Sequence, residues 1–202
     1  MNSQTKADAK SGHFHAVRFY ETKESLCRIV AEFLGEGFVL GNPALVIATP
    51  EHGGCIIDEL RARHFDTDKM IEAGDLLMLD AREVLATFME DGQPDAERFN
   101  QSVPAAIARI VRGLDKRTVR AYGEMVDLLW KDGLTTAAVK LEMLWNQLAR
   151  THDFSLLCGY SMGNFYKDAA IEDICSQHSH VVSAEGVPTA SGRLRKASPT
   201  IN

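Results

Sequence analysis

The chain has 202 residues, 45% of them hydrophobic and 25% charged, a composition that excludes collagen-like, coiled-coil and wholly disordered classes. No apolar stretch approaches the ~18 residues of a membrane span, and Met1 to Gly12 lacks the apolar segment of a secretory signal, so a cytoplasmic protein is expected. The net charge of −6 is uneven: the first twelve residues carry +1, the last twenty +2, and the body between them −9, which repels phosphates and argues against direct nucleic-acid binding.

Residues 1–12 and 183–202 are polar and lack an apolar period, so they read as a flexible N-terminal segment and a flexible C-terminal tail around one domain, 13–182. His15 to Tyr20 reads as a strand. Lys23 to Leu40 places Leu26, Ile29, Val30, Phe33 and Leu34 at helical spacing. Four short apolar runs follow, Ala44 to Ala48, Leu76 to Leu79, Val119 to Tyr122 and Phe154 to Gly159. Runs without polar alternation are the pattern of parallel strands covered on both faces. Helices are expected over Gly54 to His64, Arg82 to Met89, Ala96 to Leu114, Leu128 to Lys131, Ala137 to Thr151 and Met162 to His180. The alternation predicts an α/β three-layer sandwich with a mostly parallel central sheet.

Ligands of such sheets sit at the carboxyl ends of the strands. Thr49 to Cys55, Asp80, Gly123 to Met125 and Gly159 to Gly163 should therefore share one rim. Glu124, beside the permissive Gly123, could hold a polar ligand group or pair with Arg120 or Lys140; Asp80 could do the same or cap the next helix. His15 shares strand parity with Val17 and Phe19, whereas Tyr20 points the other way, so the two should not form one site. Glu142 and Asn146 lie at i, i+4 beside an apolar stripe of Leu141, Leu144, Trp145 and Leu148, a pattern that favours a structural link between helices.

The four cysteines, Cys27, Cys55, Cys158 and Cys175, form no CxxC pair and fit reduced thiols. Cys175 and His178 could reach one metal, with His13 or His15 as further ligands, but a single short cluster favours a helix-end histidine over a metal. Gly159-Tyr-Ser161-Met-Gly163 has the spacing of a nucleophile elbow, with Asp168 or Asp173 and His178 as its formal partners; a hydrolase is not expected, because no later strand is foreseen to carry the acid.

His15-Ala-Val-Arg-Phe-Tyr20, Val119-Arg-Ala-Tyr-Gly-Glu-Met125, Leu141-Glu-Met-Leu-Trp-Asn146, Leu157-Cys-Gly-Tyr160 and Ile174-Cys-Ser-Gln-His-Ser-His180 together resemble the MEDS family over about residues 13–182. The resemblance implies a RecA/KaiC-like fold and a sensory module for hydrocarbon derivatives, one that usually accompanies a histidine kinase or DNA-binding output domain. Only about twenty residues follow His180, so signalling is expected to run through a regulatory partner protein such as a histidine kinase or transcription factor, with homo-oligomerisation open. Ala48-Thr-Pro-Glu-His-Gly-Gly-Cys55 stands where a phosphate loop would, with Gly54 at the Lys position and Cys55 at the hydroxyl position. A degenerate phosphate loop without ATP hydrolysis is therefore expected.

The reading is a non-enzymatic sensor that takes no cofactor and binds a small organic ligand through His15, Thr49, Glu51, His52, Glu124, Cys158 and Tyr160, with apolar walls from Met125, Trp130 and Trp145. A nucleotide-binding KaiC-like protein or weak ATPase, and a protein–protein adaptor without a small ligand, are the alternatives.

Overall fold

The computed structural model describes residues 14–111, 118–164, 170–182 and 188–190. Six strands run parallel: β1 (His15–Tyr20), β2 (Ala44–Ala48), β3 (Leu76–Asp80), β6 (Val119–Gly123), β7 (Phe154–Ser161) and β8 (His180–Val182). A last strand, β9 (Pro188–Ala190), closes the edge antiparallel to β8. The order across the sheet is β3-β2-β6-β7-β1-β8-β9. Two short strands, β4 (Met89–Glu90) and β5 (Gln93–Pro94), form a separate hairpin.

Two cores lie on opposite sides of the sheet because successive strand residues point to opposite faces. Ala16, Val46, Tyr122 and Leu157 pack under α1 (Lys23–Val39) and α2 (Pro50–Ala62). The short α3 (Thr67–Ala73) completes that side near β3. Val17, Leu45, Ala121, Leu156 and Tyr160 face the other core. That core also takes residues from α4 (Ala81–Phe88), α5 (Ala96–Val111), α6 (Met125–Lys131), α7 (Thr135–Leu148) and α8 (Ala170–Gln177). At its centre the Trp145 ring meets Phe99 and Phe154 edge-on at 5.5 and 5.8 Å. The three-layer parallel α/β sandwich expected from the sequence is thus the observed fold, and no described helix is long and apolar enough to cross a membrane.

Several expectations need correction. The helix foreseen over Met162 to His180 is a 3₁₀ turn at Met162–Asn164, α8, and then β8, because the β-branched Val181 and Val182 follow a chain that pairs with the free edge of β1. Part of the stretch read as a tail contributes β9; residues 1–13, 183–187 and 191–202 lie outside the described residues. The β4–β5 hairpin turns on Asp91 and Gly92, both at positive φ (48° and 74°), the Asp-Gly pair that such tight turns favour. Helix α2 starts four residues earlier than expected. Thr49 caps it with a side chain that accepts from the His52 N–H, and Pro50 sits at the first helical position, where its missing N–H costs nothing.

Gly159 is demanded by packing. A Cβ there would lie 2.9 Å from the Tyr122 hydroxyl and 3.2 Å from Leu26 Cδ1. Gly159→Ala should push Tyr122 aside and cost about 1–3 kcal/mol as an overpacked core position, measured as a lowered urea midpoint; an unchanged midpoint would show that the two side chains yield freely.

Candidate functional site

Because β2, β3, β6 and β7 are parallel, their carboxyl ends share one edge. Strand β2 passes into α2 through Thr49 alone. The phosphate loop is therefore more than degenerate: Gly53 and Gly54 lie inside the helix, not in a loop before it. Glu124, at the end of β6, turns its carboxylate across to the start of α2. Its Oε1 accepts from the Thr49 N–H at 2.5 Å, and its Oε2 meets His52 Nδ1 at 2.5 Å and accepts from the Tyr122 hydroxyl at 3.1 Å. This explains why Glu124, the residue that begins α6, makes no cap bond to α6 itself. Burial pushes the Glu124 carboxyl up, but the bonds from His52 and Thr49 outweigh it and hold the pKa below the usual carboxylate value. Burial, then the nearby carboxylate of Glu124, raises the Tyr122 phenol. The pairing with Arg120 or Lys140 is not made.

Next to it, Asp127 on α6 accepts from the Tyr20 hydroxyl at 2.9 Å and the Ser161 N–H at 2.9 Å, and pairs with Lys131 at 2.7 Å. The carboxylate ties β1, β6–α6 and β7 together at the same edge. Sequence reasoning missed Asp127; Tyr20, a polar side chain on the face opposite His15, was the signal that a partner waited there.

A second polar cluster lies on the other face, under α7. Glu142, fully buried, receives the Tyr160 hydroxyl at 2.8 Å and the Cys158 thiol at 3.7 Å. His15 Nε2 stands 3.2 Å from its Oε2, and His178 Nε2 3.3 Å from its Oε1. The outer ring nitrogens are held from behind. His178 Nδ1 lies 2.7 Å from the Ile174 carbonyl, which can only accept. His15 Nδ1 meets Asn146 Oδ1 at 2.9 Å, while Asn146 Nδ2 donates to the Gln177 carbonyl at 2.8 Å. Both imidazoles therefore donate from Nδ1 and turn Nε2 toward Glu142. Burial opposes ionisation of Glu142, but His178 and His15 overcome it and hold its pKa far below the usual range. Burial likewise opposes protonation of His178, and Glu142 reverses that and raises it. Burial first, then Glu142, pushes Cys158 and Tyr160 well up. His178 Nε2 is a buried nitrogen that makes no hydrogen bond and faces the Glu142 carboxylate alone.

The seven residues expected to form one site thus fall into three places. Thr49, His52 and Glu124 meet at the carboxyl edge; His15, Cys158 and Tyr160 meet around Glu142, across the sheet. Glu51 joins neither: it is exposed and pairs with Lys23 at 2.9 Å, because the first turn of α2 points it at α1. Cys175 is buried but is not one of the four groups converging at Glu142, where His178 stands with His15, Cys158 and Glu142 instead. Met125 and Trp145 are buried core, and Trp130 is a half-buried ring edge-on to Tyr160 at 6.2 Å. Asp80 accepts from the N–H groups of Arg82 and Glu83 as the cap of α4. Ser161 lies within β7, its register partner being Tyr20, and the histidine foreseen for an elbow, His178, is committed to Glu142 and Ile174; two strands, β8 and β9, do follow Ser161. Asp168 lies outside the described residues and nothing is described of the Asp173 side chain.

A cleft of about 300 Å³ opens at the carboxyl edge between α2 and β3, walled by Pro50, Gly53, Gly54, Ile57, Met78 and Leu79, with Thr49 and Asp80 at its polar margin. A second, of about 290 Å³, lies at the opposite end of the strands beside Phe14, Phe33, Glu36 and Arg120. A third, of about 510 Å³, runs between α7 and α8 over His15 and His178.

A family model described as MEDS, the methanogen/methylotroph, DcmR sensory domain, matches residues 14–179. The chain belongs to the MEDS family. Its fold is similar to the crystal structure of a KaiC-like protein from the hyperthermophilic archaeon Pyrococcus horikoshii, at a TM-score of 0.53 and 12% identity over 82% of this chain and 70% of that one. At that identity the likeness concerns the fold. No curated protein matches this MEDS chain. The sensory and regulatory role is that of the family, and within this MEDS domain the Thr49–His52–Glu124 group and its apolar cleft occupy the edge where parallel α/β sheets bind ligands.

Proposed function

We propose that this MEDS domain senses a small, largely apolar organic molecule, a hydrocarbon derivative, in the cleft between α2 and β3, and signals through a regulatory partner protein. The observation that carries the reading is an apolar cleft at the carboxyl edge built directly onto the buried Glu124 network. At about 300 Å³ the cleft is at the small end of ligand sites and suits a compact molecule. Glu124 also supplies its own anion to the Thr49 N–H at the start of α2. A phosphate placed there would meet a carboxylate instead of a free helix terminus.

A ligand wedged between Ile57 and Met78 favours one position of α2 over another. Thr49 and His52 carry that difference to Glu124, and so to β6 and α6, and the difference in affinity between the two arrangements sets the size of the response.

Gly54 provides the test. A Cβ there meets nothing within 4 Å, and Gly54 lines the cleft, so Gly54→Leu fills the cavity while improving helix propensity by up to about 1 kcal/mol. Dichloromethane, a compact hydrocarbon derivative used as the probe, should at a hundred times its dissociation constant stabilise the wild-type chain by about 2.7 kcal/mol, a Tm rise of about 5–10 °C for a domain of this size. Gly54→Leu should fold and show no rise. Equal rises in both proteins would place the ligand elsewhere, and a rise with millimolar ATP instead would favour the nucleotide-binding alternative.

A further inference from the structure

The Glu142 cluster is not needed for the proposed sensing cleft, and its geometry asks for more than hydrogen bonding. One ligand atom from each of His15, Glu142, Cys158 and His178 lies within 4.8 Å of every other, and all four residues are buried. A tetrahedral ion with bonds of about 2.0–2.3 Å holds its ligand atoms roughly 3.3–3.8 Å apart. His15 Nε2 and Cys158 Sγ lie 3.2 and 3.7 Å from Glu142 Oε2 and 3.4 Å from each other, a set of that size, while His178 Nε2 lies 3.3 Å from the other carboxylate oxygen, Oε1, and within the 4.8 Å that spans the four ligand atoms.

The outer contacts have the form that metal-bound histidines use. Each Nδ1–H donates outward to a fixed oxygen, Ile174 or Asn146, which fixes the tautomer that offers Nε2 inward. His178 Nε2, with no exposure of its side chain, makes no hydrogen bond and faces only the Glu142 carboxylate, at 3.3 Å, so it stands aimed at the point where the other three groups converge.

We infer that His15 Nε2, Glu142, Cys158 Sγ and His178 Nε2 form a four-ligand site for a borderline-soft divalent transition metal of the zinc type. Imidazole and thiolate ligands select such an ion, whereas Mg²⁺ and Ca²⁺ prefer oxygen ligands throughout. With four protein ligands the site is closed, and the ion acts as a clamp. His15 opens β1, Cys158 lies on β7, Glu142 on α7, and His178 follows α8, so metal binding fixes the α8–β8 segment to the body of the domain. The cleft over His15 and His178 gives the ion its path inward. On binding, the Sγ proton and any Nε2 proton pass to solvent as the ion's bonds to Sγ and Nε2 form, with no change of oxidation state.

Cobalt substitution tests the site in the full chain. Protein stripped with a chelator and titrated with Co²⁺ should take up one ion, with the visible d–d bands of tetrahedral Co²⁺ and a thiolate-to-cobalt charge-transfer band, both removed by one equivalent of Zn²⁺. Cys158→Ser should lose the charge-transfer band, His178→Gln should weaken Co²⁺ binding more than about tenfold, Asn146→Ala should weaken it about 10–100-fold, and Cys175→Ser should leave the spectrum unchanged. The wild-type spectrum decides the matter by itself should a variant fail to fold. No tetrahedral bands in wild type, or a charge-transfer band that survives in Cys158→Ser, would overturn the assignment.

Discussion

Replacing Glu142 by Ala is expected to destabilise the metal-stripped chain by about 3–5 kcal/mol, the cost of removing one partner from a buried ionic group, and to lower Tm by on the order of 10 °C. The carboxylate is the shared acceptor of Tyr160 and Cys158 and lies 3.2 and 3.3 Å from the Nε2 atoms of His15 and His178. Its loss removes the shared partner of four buried side chains at once. Glu142→Gln keeps the volume and one acceptor for the Tyr160 hydroxyl, so its cost should be clearly smaller. Urea unfolding of both variants measures the difference. A Glu142→Ala protein within about 1 kcal/mol of wild type would mean that the cluster relaxes around the hole and does not organise α7 against the sheet.

Glu124→Ala should cost about 2–4 kcal/mol, since it leaves the Thr49 N–H and the buried Tyr122 hydroxyl without their acceptor and removes the carboxylate that meets His52 Nδ1. The effect has a pH signature with a defined sign. The folded Glu124 pKa lies below the ordinary value of about 4.3, so its contribution is full above that pH and is lost as pH falls through the folded value. Stability curves of wild type and Glu124→Gln should therefore converge on going from about pH 6 to pH 3. Parallel curves over that range would show that Glu124 does not carry a charged interaction in the folded chain. Because Thr49 also borders the apolar cleft, Glu124→Ala should additionally loosen the link from cleft to α6: dichloromethane would still bind, with the shift at α6 reduced.

Much of the fold is legible in the sequence because the strands announce themselves as unbroken apolar runs. Ala44–Ala48 and Val119–Gly123 feed alternate side chains to both cores, and only a sheet covered on both faces accepts such runs. The end of the chain was less legible: His180–Val182 is three residues long, and its strand character comes from the open edge of β1, which a local pattern does not contain. For the candidate site, the identity of the polar residues could be read but not their grouping. Thr49, His52 and Glu124 were placed on the correct edge. Cys158 and Tyr160 follow the same strand ends in sequence, yet strand parity directs them through the sheet to Glu142. The role of Glu142 as the meeting point of four side chains from three further elements depends on tertiary packing, and i, i+4 spacing with Asn146 shows only that both lie on one helical face.

Methyl NMR reads the proposed sensing site, the α2–β3 cleft, directly. In the full chain with labelled Met, Ile and Leu methyl groups, titration with dichloromethane should shift Met78, Ile57 and Leu79 saturably, leave exposed Met143 unmoved, and produce no such shifts in Gly54→Leu. Saturable shifts confined instead to Ile29 and Leu157, in the cleft at the opposite end of the strands, or no saturable shift at any methyl, would contradict the proposal.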